Sequence, residues 1–355
     1  MDKTDLETKR DVKTDSFAVI FGGRGKEREV SIRGGLSFIK RASALGYNIL
    51  PIYIAADGRF LLLQSGISSI DGSGLEKLKT EAYPVRLFGK SGFLASGEVI
   101  SVKRALIILH GDSGEDGTVQ GALETAGIEY IGADTAASAI ALDKYVTKCV
   151  ARELQIPVLD FGAYSQSEGT ELIKAKIERD IGYPVFIKPR RLGSSIGASA
   201  ARNEMELAYA LKSAFAESPD IIAERCLEKK RELEAAYYSL GGKAGVSAPA
   251  EIELGGRFYS YEEKYSQKST ARLNLRADVP DWVKQKISEY TKRLAKALGI
   301  RHYARFDFFL KDGDIYLNEV NTIPGMTDKS MFLGMLEGEG IAFSDLLSLI
   351  FGGTP

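Results

Sequence analysis

Short apolar runs that end in glycine recur in the first third of the chain. The run FAVIFGG at residues 17–23 is followed by an apolar helical pattern through Ile32, Leu36 and Ile39, and then by a second run, NILPIYIA. Strands that are apolar along their whole length are buried on both faces, which is typical of parallel sheets covered by helices. The order of strand, glycine turn, helix and strand therefore predicts an α/β, doubly wound sheet.

The same pattern continues from residue 104. RALIILHG at residues 104–111 predicts another buried strand, TVQGALETAG a helix, and IEYIG a further strand. Residues 56–104 are irregular and rich in glycine and serine, and no order of elements is assigned to them. The polar residues 1–15 are expected to form a disordered tail, so residues 16–132 are interpreted as the N-terminal domain.

The pattern changes near residue 133. The segment TAASAIALDKYVTKCVARELQIP is interpreted as one long amphipathic helix that Pro157 ends. Cys149 belongs to its apolar stripe, and we interpret that side chain as core packing rather than as a nucleophile. The whole stripe is formed by Leu142, Tyr145, Val146, Cys149 and Val150.

The second half of the chain indicates an α+β arrangement. YPVFIKP predicts a strand, RRLGSSIG a turn, and the following residues a helix through Leu207 and Leu211. DIIAERC, LEAAYYSL, VSAPAEIEL and FYSYEEKY alternate as antiparallel strands do, and a helix over about 282–298 follows. ARFDFFL and DIYLNEVN then form a hairpin through the turn KDGD. We expect a central subdomain at 133–223 and a C-terminal one at 224–355.

The charge balance excludes several classes of partner. Lys and Arg number 47 against 48 Asp and Glu, so no basic surface predicts nucleic-acid binding. No run approaches the roughly 18–20 apolar residues that a membrane span needs, and the first 15 residues do not resemble a signal peptide. Two cysteines, Cys149 and Cys226, fit a reducing cytosol, so a cytoplasmic protein is expected. Two histidines argue against a His-rich zinc site.

The hairpin carries the strongest chemical signal in the sequence. Alternation along a strand places Arg305 and Asp307 on one face, and likewise Glu319 and Asn321. A short hairpin can bring these pairs together, and such oxygen ligands suit Mg²⁺ held against nucleotide phosphates. The alternative is a solvated hairpin with scattered charges.

A second signal is FIKPRRLGSSIG at residues 186–197. A strand delivers Lys188 to a turn of small residues, whose backbone N–H groups can bind phosphate. The turn lacks the GxxxxGK[ST] pattern, so the protein is not a P-loop NTPase. Taken alone, this segment could equally be a structural turn.

Two further loops carry polar side chains near predicted strand ends. In HGDSGEDGTVQG, His110 ends a buried strand, and it is either catalytic or a satisfied structural histidine. GGRGKEREVS lacks the dinucleotide-binding glycine pattern, and its acids Glu27 and Glu29 would oppose a pyrophosphate. A carboxylate there suits an ammonium group, and the alternative is an acid at a helix start.

Taken in order, these motifs resemble those of the D-alanine–D-alanine ligases of the ATP-grasp superfamily, from about residue 17 to the C-terminus. The matching segments are KEREVS, HGDSGEDGTVQG, ALDKYVTK, FIKPRRLGSSIG, IIAER…RELE, YEEKYS, RFDFF and NEVNTIPGMT. The resemblance implies a Rossmann-like N-terminal domain followed by two ATP-grasp subdomains that clamp ATP. It also implies ATP-dependent ligation of two D-alanines for peptidoglycan synthesis.

The resemblance assigns nucleotide and metal roles to individual residues. Asp307, Glu319 and Asn321 match ligands of two Mg²⁺ ions, for which Mn²⁺ can substitute, and Arg305 matches the arginine that stabilises the transferring phosphoryl group. The segment ERCLEKKRE has one residue more than the usual spacing before the ribose acid. The implied ATP-binding residues are Lys144, Lys188, Glu224, Arg225, Leu227 and Glu232.

The resemblance also implies the amino-acid sites. Glu27, Ser194 and Tyr265 match a triad that orients the first D-alanine and fastens a lid, YEEKYSQKSTARLNLRAD, which also carries Lys264. The lid excludes water from the acyl phosphate. The remaining site residues are Gly325, which donates a backbone N–H to the oxyanion, His110 in substrate binding, and Ser330 and Met331 at the second carboxylate.

Four alternatives to D-Ala–D-Ala ligation remain at the level of function. Tyr265 favours the D-Ala–D-Ala dipeptide over D-Ala–D-lactate, and the lack of arginine at Met331 argues against D-Ala–D-Ser. Lys329 and the missing proline after Met331 depart from the usual ending, so D-Ala–D-Ser stays second. A non-catalytic ATP-binding homologue is less consistent with the intact metal ligands, and an oxidoreductase lacks its glycine pattern. A homodimer is expected from the family.

Overall fold

Three β-sheets form the framework of the part of the protein that the structure describes. We describe it from a computed structural model, which covers residues 16–63, 82–89, 92–111, 113–253 and 272–352. The helices are α1 Arg28–Ala44, α2 Thr118–Ala126, α3 Thr135–Leu142, α4 Lys144–Glu153, α5 Thr170–Asp180, α6 Glu204–Glu217, α7 Asp281–Leu298, α8 Met331–Gly338 and α9 Phe343–Phe351.

The first sheet has eight strands and confirms the doubly wound start. Its strands are β1 Phe17–Gly22, β2 Ile49–Ile54, β3 Phe60–Leu62, β4 Tyr83–Phe88, β5 Gly92–Ala95, β6 Glu98–Ser101, β7 Arg104–Ile108 and β8 Tyr130–Ile131. The order is β6-β5-β4-β3-β2-β1-β7-β8, and β1 pairs in parallel with β2 and β7. The sequence interpretation of residues 56–104 as irregular was wrong, because four of these strands continue the sheet in antiparallel pairs.

The second sheet carries four antiparallel strands. They are β9 Phe161–Ser165, β10 Val185–Pro189, β11 Ser199–Ala201 and β12 Asp220–Arg225, in the order β11-β10-β12-β9. Helices α5 and α6 cover it through an apolar cluster that includes Ile177 and Leu211. Strand β12 crosses the boundary expected between residues 223 and 224, so the change of sheet falls after Arg225.

The third sheet contains the predicted hairpin. Its strands are β13 Arg231–Leu240, β14 Lys243–Val246, β15 Ala250–Glu253, β16 Arg272–Asn274, β17 Tyr303–Lys311 and β18 Asp314–Asn321. The order is β16-β15-β13-β17-β18, with β14 paired to β13. Asp312 and Gly313, the turn between β17 and β18, have φ values of 51° and 91°. The predicted strand FYSYEEKY lies outside the described residues.

The long helix expected after residue 133 is two helices, α3 and α4. The chain breaks at Asp143, which has an extended backbone and caps α4 by accepting a hydrogen bond from the Val146 N–H. The apolar stripe predicted to face the core, including Cys149, is only half-buried. Helix α4 instead buries Lys144, Thr147, Lys148 and Ala151, because this face packs towards the third sheet and a polar site.

The two ends of the described chain share one core. The ring of Phe351 in α9 stacks on Phe17 in β1 with centroids 4.2 Å apart, and it lies 5.4 Å from the ring of Tyr47. Helices α8 and α9 therefore pack against the first sheet although they follow the third sheet in sequence. None of the helices in the described ranges is long and apolar enough to cross a membrane.

Candidate functional site

A cavity of about 580 Å³ lies where the second and third sheets meet. It joins segments that are far apart in sequence, from the start of α4 to strand β18. Its wall includes ten of the residues singled out in the sequence, which are Lys144, Lys188, Ser194, Glu224, Arg225, Leu227, Glu232, Arg305, Asp307 and Glu319. The volume and the mixed apolar and charged wall suit a nucleotide-sized ligand.

The loop after β10 forms one side of the cavity. Ser194 and Ser195 have φ values of 50° and 58°, a left-handed conformation that serine rarely adopts. Lys144 leads α4 towards this loop and donates from Nζ to the Leu192 carbonyl at 2.6 Å. Successive N–H groups in such a turn, with a lysine on either side, form a site for anions.

Asp143 fixes this loop, and sequence analysis did not single it out. Its carboxylate accepts hydrogen bonds from Arg190 Nε at 2.7 Å and from Arg191 Nε at 2.9 Å. Burial alone would raise the pKa of Asp143, but the two guanidinium groups and the Val146 N–H hold it below its usual value. The residue therefore ties the start of α4 to the anion-binding turn.

Two lysines share the buried carboxylate of Glu224. Lys188 Nζ lies 3.0 Å from Oε1, and Lys148 Nζ lies 3.4 Å from Oε2. Lys148 was missed in the sequence, although its spacing of four residues from Lys144 places both on one helix face. Lys188 also donates to Asn318 Oδ1 at 3.3 Å.

The hairpin brings its charged residues together as expected. Arg305 lies opposite Asn321, and Asp307 lies opposite Glu319. Arg305 donates to both oxygens of Asp307 at 2.8 Å. A register shift after Asp307 makes Asn318 an extra residue, and Asn318 and Glu319 both line the cavity.

Glu234 is a further acid that the sequence patterns did not reveal. It lies opposite Asp307 on β13, and its Oε2 is 3.3 Å from Arg305 Nε. The guanidinium of Arg305 is therefore held between two carboxylates from neighbouring strands. Only the pairing of β13 with β17, which sequence patterns do not reveal, brings Glu234 to this place.

The hairpin offers an incomplete set of metal ligands. No group of three His, Cys, Asp or Glu side chains suited to a metal occurs within the described ranges. The available donors are the carboxylates of Asp307 and Glu319 with an amide from Asn321, whose Oδ1 accepts a hydrogen bond from the Ile323 N–H at 3.0 Å. Such a set fits Mg²⁺, which is typically bound by one or two carboxylates together with substrate phosphates.

Glu27 lies between β1 and α1 and contacts the loop that follows β10. It is buried just before α1, and the Ser194 hydroxyl donates to its Oε1. A Cβ atom at Gly111 would lie 2.7 Å from Glu27 Oε2, and one at Gly193 would lie 3.0 Å from Oε1. A side chain at Gly111 would be strained by the φ of 70°, whereas one at Gly193 would need only a small shift of the Glu27 carboxylate.

Two titratable groups, His110 and Glu115, are buried in the loop that follows β7. Burial, with a smaller contribution from Arg305, lowers the pKa of His110 to about 4, so the imidazole is neutral at pH 7. Burial and the neighbouring Glu27 raise the pKa of Glu115 to about 8. Glu115 accepts a hydrogen bond from the Gly111 N–H at 2.8 Å, which fixes the loop that follows β7.

Three further predicted residues, Gly325, Ser330 and Met331, do not line the cavity. Gly325 is in the loop after β18, where an added Cβ would lie 2.7 Å from Ser330 Oγ. Ser330 Oγ accepts a hydrogen bond from the Thr327 N–H at 3.0 Å, whereas Met331 is buried in the core. Lys264 and Tyr265 lie outside the described residues.

Two residues that the resemblance assigned to ATP binding, Arg225 and Glu232, have charges that are paired with other side chains. The guanidinium of Arg225 lies 3.1 Å from Asp160 and donates to the Ile181 carbonyl at 2.6 Å, so its side chain points away from the cavity centre. Glu232 forms an ion pair with Lys230 at 3.2 Å on the cavity wall.

Comparisons with known proteins agree along the chain. A family model described as D-ala D-ala ligase N-terminus matches residues 16–133, and one described as D-ala D-ala ligase C-terminus matches residues 150–351. The chain is 37% identical to a D-alanine–D-alanine ligase of Chlorobaculum tepidum, over 94% of each chain.

Solved structures of two bacterial enzymes are also similar. The VanG D-Ala:D-Ser ligase from Enterococcus faecalis superposes with a TM-score of 0.85 at 32% identity, covering 96% of this chain and 99% of that chain. The D-alanyl-alanine synthetase A from Vibrio cholerae gives a TM-score of 0.82 at 32% identity with the same coverage.

Proposed function

Because the chain belongs to the D-alanine–D-alanine ligase family, whose members are ATP-dependent ligases, we propose that it joins two D-alanines into a dipeptide while converting ATP to ADP and phosphate. The observation that carries this proposal is a single cavity lined by the anion-binding turn, the buried Glu224 and the Arg305–Asp307 pair. Residues proposed to bind the nucleotide, the transferring phosphoryl group and the metal thus line the same cavity.

The nucleotide lies across the cavity in this proposal. Lys144 and Lys188 contact its phosphates together with the turn that contains Ser194. Glu224 accepts a hydrogen bond from the adenine amino group, Leu227 and the backbone at Arg225 pack beside the base, and Glu232 binds the ribose. Asp307, Glu319 and Asn321 would hold two Mg²⁺ ions, or Mn²⁺ in their place, which neutralise phosphate charge when bound.

In the first step, a D-alanine carboxylate oxygen attacks the γ-phosphorus, the bond to the β,γ-bridging oxygen breaks, and ADP leaves. Arg305 stabilises the charge on the transferring phosphoryl group, and Glu27 binds the ammonium group of this D-alanine. Ser194 orients Glu27 through its hydrogen bond. Tyr265 completes this triad in the proposal and Lys264 approaches the phosphate.

In the second step, the neutral amine of another D-alanine attacks the acyl phosphate carbon, and the departing phosphate takes up the proton that the amine loses. The Gly325 N–H stabilises the resulting oxyanion, which collapses to the dipeptide as phosphate leaves. Ser330, with Met331 beside it, receives the carboxylate of this second substrate, and His110 faces the substrates as a neutral imidazole. The protein acts in this scheme as a cytoplasmic homodimer that supplies peptidoglycan synthesis.

A second candidate function is D-Ala–D-Ser ligation. It is favoured by the similarity to the VanG D-Ala:D-Ser ligase. The exposed Lys329 beside Ser330 also adds a charge near the second carboxylate site. The two functions share every step except the identity of the second amine.

The test is ATP-dependent phosphate release with Mg²⁺ and D-alanine, D-serine, D-lactate or L-alanine, followed by mass spectrometry of the products. We expect D-alanine alone to drive phosphate release and to give D-alanyl-D-alanine. A mixed D-Ala–D-Ser product formed in preference from both amino acids would replace the first candidate with the second. ATP binding without phosphate release for any of these substrates would contradict both.

A further inference from the structure

Lys148 is a completely buried lysine at the junction of three elements. Its side chain on α4 has 0% exposure, and Nζ lies 3.2 Å from the Leu317 carbonyl of β18 and 3.4 Å from Glu224 Oε2 of β12. It does not belong to the wall of the cavity, whereas Lys144, one turn earlier, does. Lys148 therefore acts on a ligand in the cavity through the two groups that it contacts, the Glu224 carboxylate and the Leu317 carbonyl.

Glu224 depends on this lysine once the nucleotide site is occupied. Its carboxylate is paired with Lys188 through Oε1 and with Lys148 through Oε2. Lys188 is also the lysine assigned to the phosphates in the proposed function, so it has to serve two anions. A buried carboxylate that loses its countercharge is strongly destabilised, so Lys148 supplies a countercharge that stays on Glu224 while Lys188 contacts the phosphates.

The ionisation of the pair agrees with this arrangement. Burial alone would raise the pKa of Glu224, but Lys148 and Lys188 outweigh burial and hold that pKa below its usual value. Burial lowers the pKa of Lys148 to about 8, which leaves it protonated at neutral pH. Glu224 therefore accepts hydrogen bonds only and cannot donate one.

We propose that Lys148 is a positioning residue that fixes one oxygen of Glu224 and thereby makes the site select a base with an exocyclic amino group. The other oxygen, Oε1, which also contacts Lys188, accepts from the amino group of adenine, and the carboxylate charge repels the carbonyl oxygen that hypoxanthine carries at the same position. This inference rests on the proposed nucleotide site and adds the residue that sets its preference among purines.

The test compares the binding of ADP and IDP to the full-length chain by isothermal titration calorimetry. Lys148→Met retains length and removes the charge, and we expect ADP affinity to fall about tenfold or more while IDP affinity changes less than about threefold. An equal loss for both nucleotides, or no loss for either, would overturn the proposal. Lys286→Met, which removes a surface lysine paired with Glu289 on α7, is the matched control.

Two further variants keep the test decisive if Lys148→Met does not fold. Lys148→Gln retains a hydrogen-bond donor without charge and should show the same loss of preference. Lys148→Arg retains the charge in a tightly packed place, so it should lower the melting temperature while keeping the ADP preference within about threefold. A loss of preference in Lys148→Arg equal to that in Lys148→Gln would contradict the role of the charge.

The unmodified chain separates this inference from the proposed function. If it binds ADP and IDP equally, the nucleotide site stands and the role of Glu224 and Lys148 in base selection is wrong. If it binds neither nucleotide, the proposed function fails at its first step and this inference fails with it.

Discussion

At the scale of the residue, Arg305 shows how the site keeps a cation in place. Asp307 accepts two hydrogen bonds of 2.8 Å from it, and Glu234 Oε2 lies 3.3 Å from the same Nε atom. A planar guanidinium can satisfy both carboxylates, whereas a lysine ammonium is a point charge. Replacing Arg305 by lysine therefore tests the shape of the cation, and replacing it by alanine tests its charge.

We therefore predict different outcomes for two variants of Arg305. Arg305→Lys should keep the unfolding free energy within about 1 kcal/mol but lower kcat for phosphate release at least about a hundredfold, since the paired N–H donors are lost. Arg305→Ala should lose as much activity and, in addition, roughly 3–5 kcal/mol of stability, because two buried carboxylates lose their partner. Phosphate release and urea denaturation measure the two quantities, and near-normal turnover in Arg305→Lys would contradict the assigned role.

His110 makes a prediction about pH. Its pKa is about 4 in the folded protein against 6.5 for an ordinary histidine, so only the unfolded chain binds this proton between those values. Stability from this group is fully present above pH 6.5 and is lost as pH falls towards 4, with a total on the order of 3 kcal/mol. In His110→Gln, unfolding free energies measured between pH 6.5 and 4.5 should fall less steeply than in the unmodified chain. Parallel pH profiles would show that His110 is not buried as a neutral group.

At the scale of the element, Asp143 joins the start of α4 to the anion-binding turn. We predict that Asp143→Asn, which retains the cap on Val146, costs about 1 kcal/mol of stability because the ion pairs to Arg190 and Arg191 are lost. Asp143→Ala also loses the cap and should cost about 2–3 kcal/mol. Both variants should weaken ADP binding, since the turn is no longer tied to α4.

Urea denaturation followed by circular dichroism gives the stabilities, and calorimetry gives the ADP affinity. Equal stabilities of Asp143→Asn and Asp143→Ala would mean that the cap contributes nothing. An ADP affinity that is unchanged in both variants would show that Asp143 does not influence nucleotide binding.

Local signals explain which elements the sequence predicts well. From Ala304 to Lys311, strand β17 alternates between buried and half-buried residues, so its two faces can be recognised in the sequence. Strand β4 has the mostly exposed pattern of an antiparallel extension, and nothing local reveals that it pairs with β3 and β5. The break at Asp143 is not visible in the sequence because the helical periodicity continues through it. The residues that hold Asp143 in place, Arg190 and Arg191, are distant in sequence.

The same limit applies to the candidate site. Short motifs picked out ten residues of the cavity wall, because each motif carries its own chemistry. Lys148 and Glu234 were missed because their partners, Glu224 and Arg305, lie on strands that are distant in sequence. Only the tertiary fold brings each pair together.

At the scale of the whole molecule, the shared core makes the last helix part of the first sheet. Phe351 is 1% exposed and contacts the rings of Phe17, Tyr47 and Phe38. We predict that Phe351→Ala lowers the unfolding free energy by about 3–5 kcal/mol, as expected for a large buried aromatic residue. Urea denaturation, followed with a spectroscopic probe placed in the first sheet, should show this lower unfolding free energy even though residue 351 lies near the opposite end of the chain.

The matched control is Phe88→Ala on β4, where the ring is 46% exposed and the change should stay within about 0.5 kcal/mol. A double-mutant cycle between Phe351→Ala and Phe17→Ala should give a coupling of about 0.5–1.5 kcal/mol from the stacked rings. Strict additivity would mean that the two ends of the chain are stabilised independently.

The tight turn at Asp312 and Gly313 has a consequence for how such a chain can evolve. One inserted residue there would slide β18 against β17 and turn Glu319 and Asn321 to the opposite face, away from Arg305 and Asp307. Selection should therefore remove insertions and deletions at this turn while tolerating them elsewhere, for example at the exposed turn between β5 and β6. In descendants of this sequence, chain length should be most invariant between the two hairpin strands, even where the side chains of the turn itself drift.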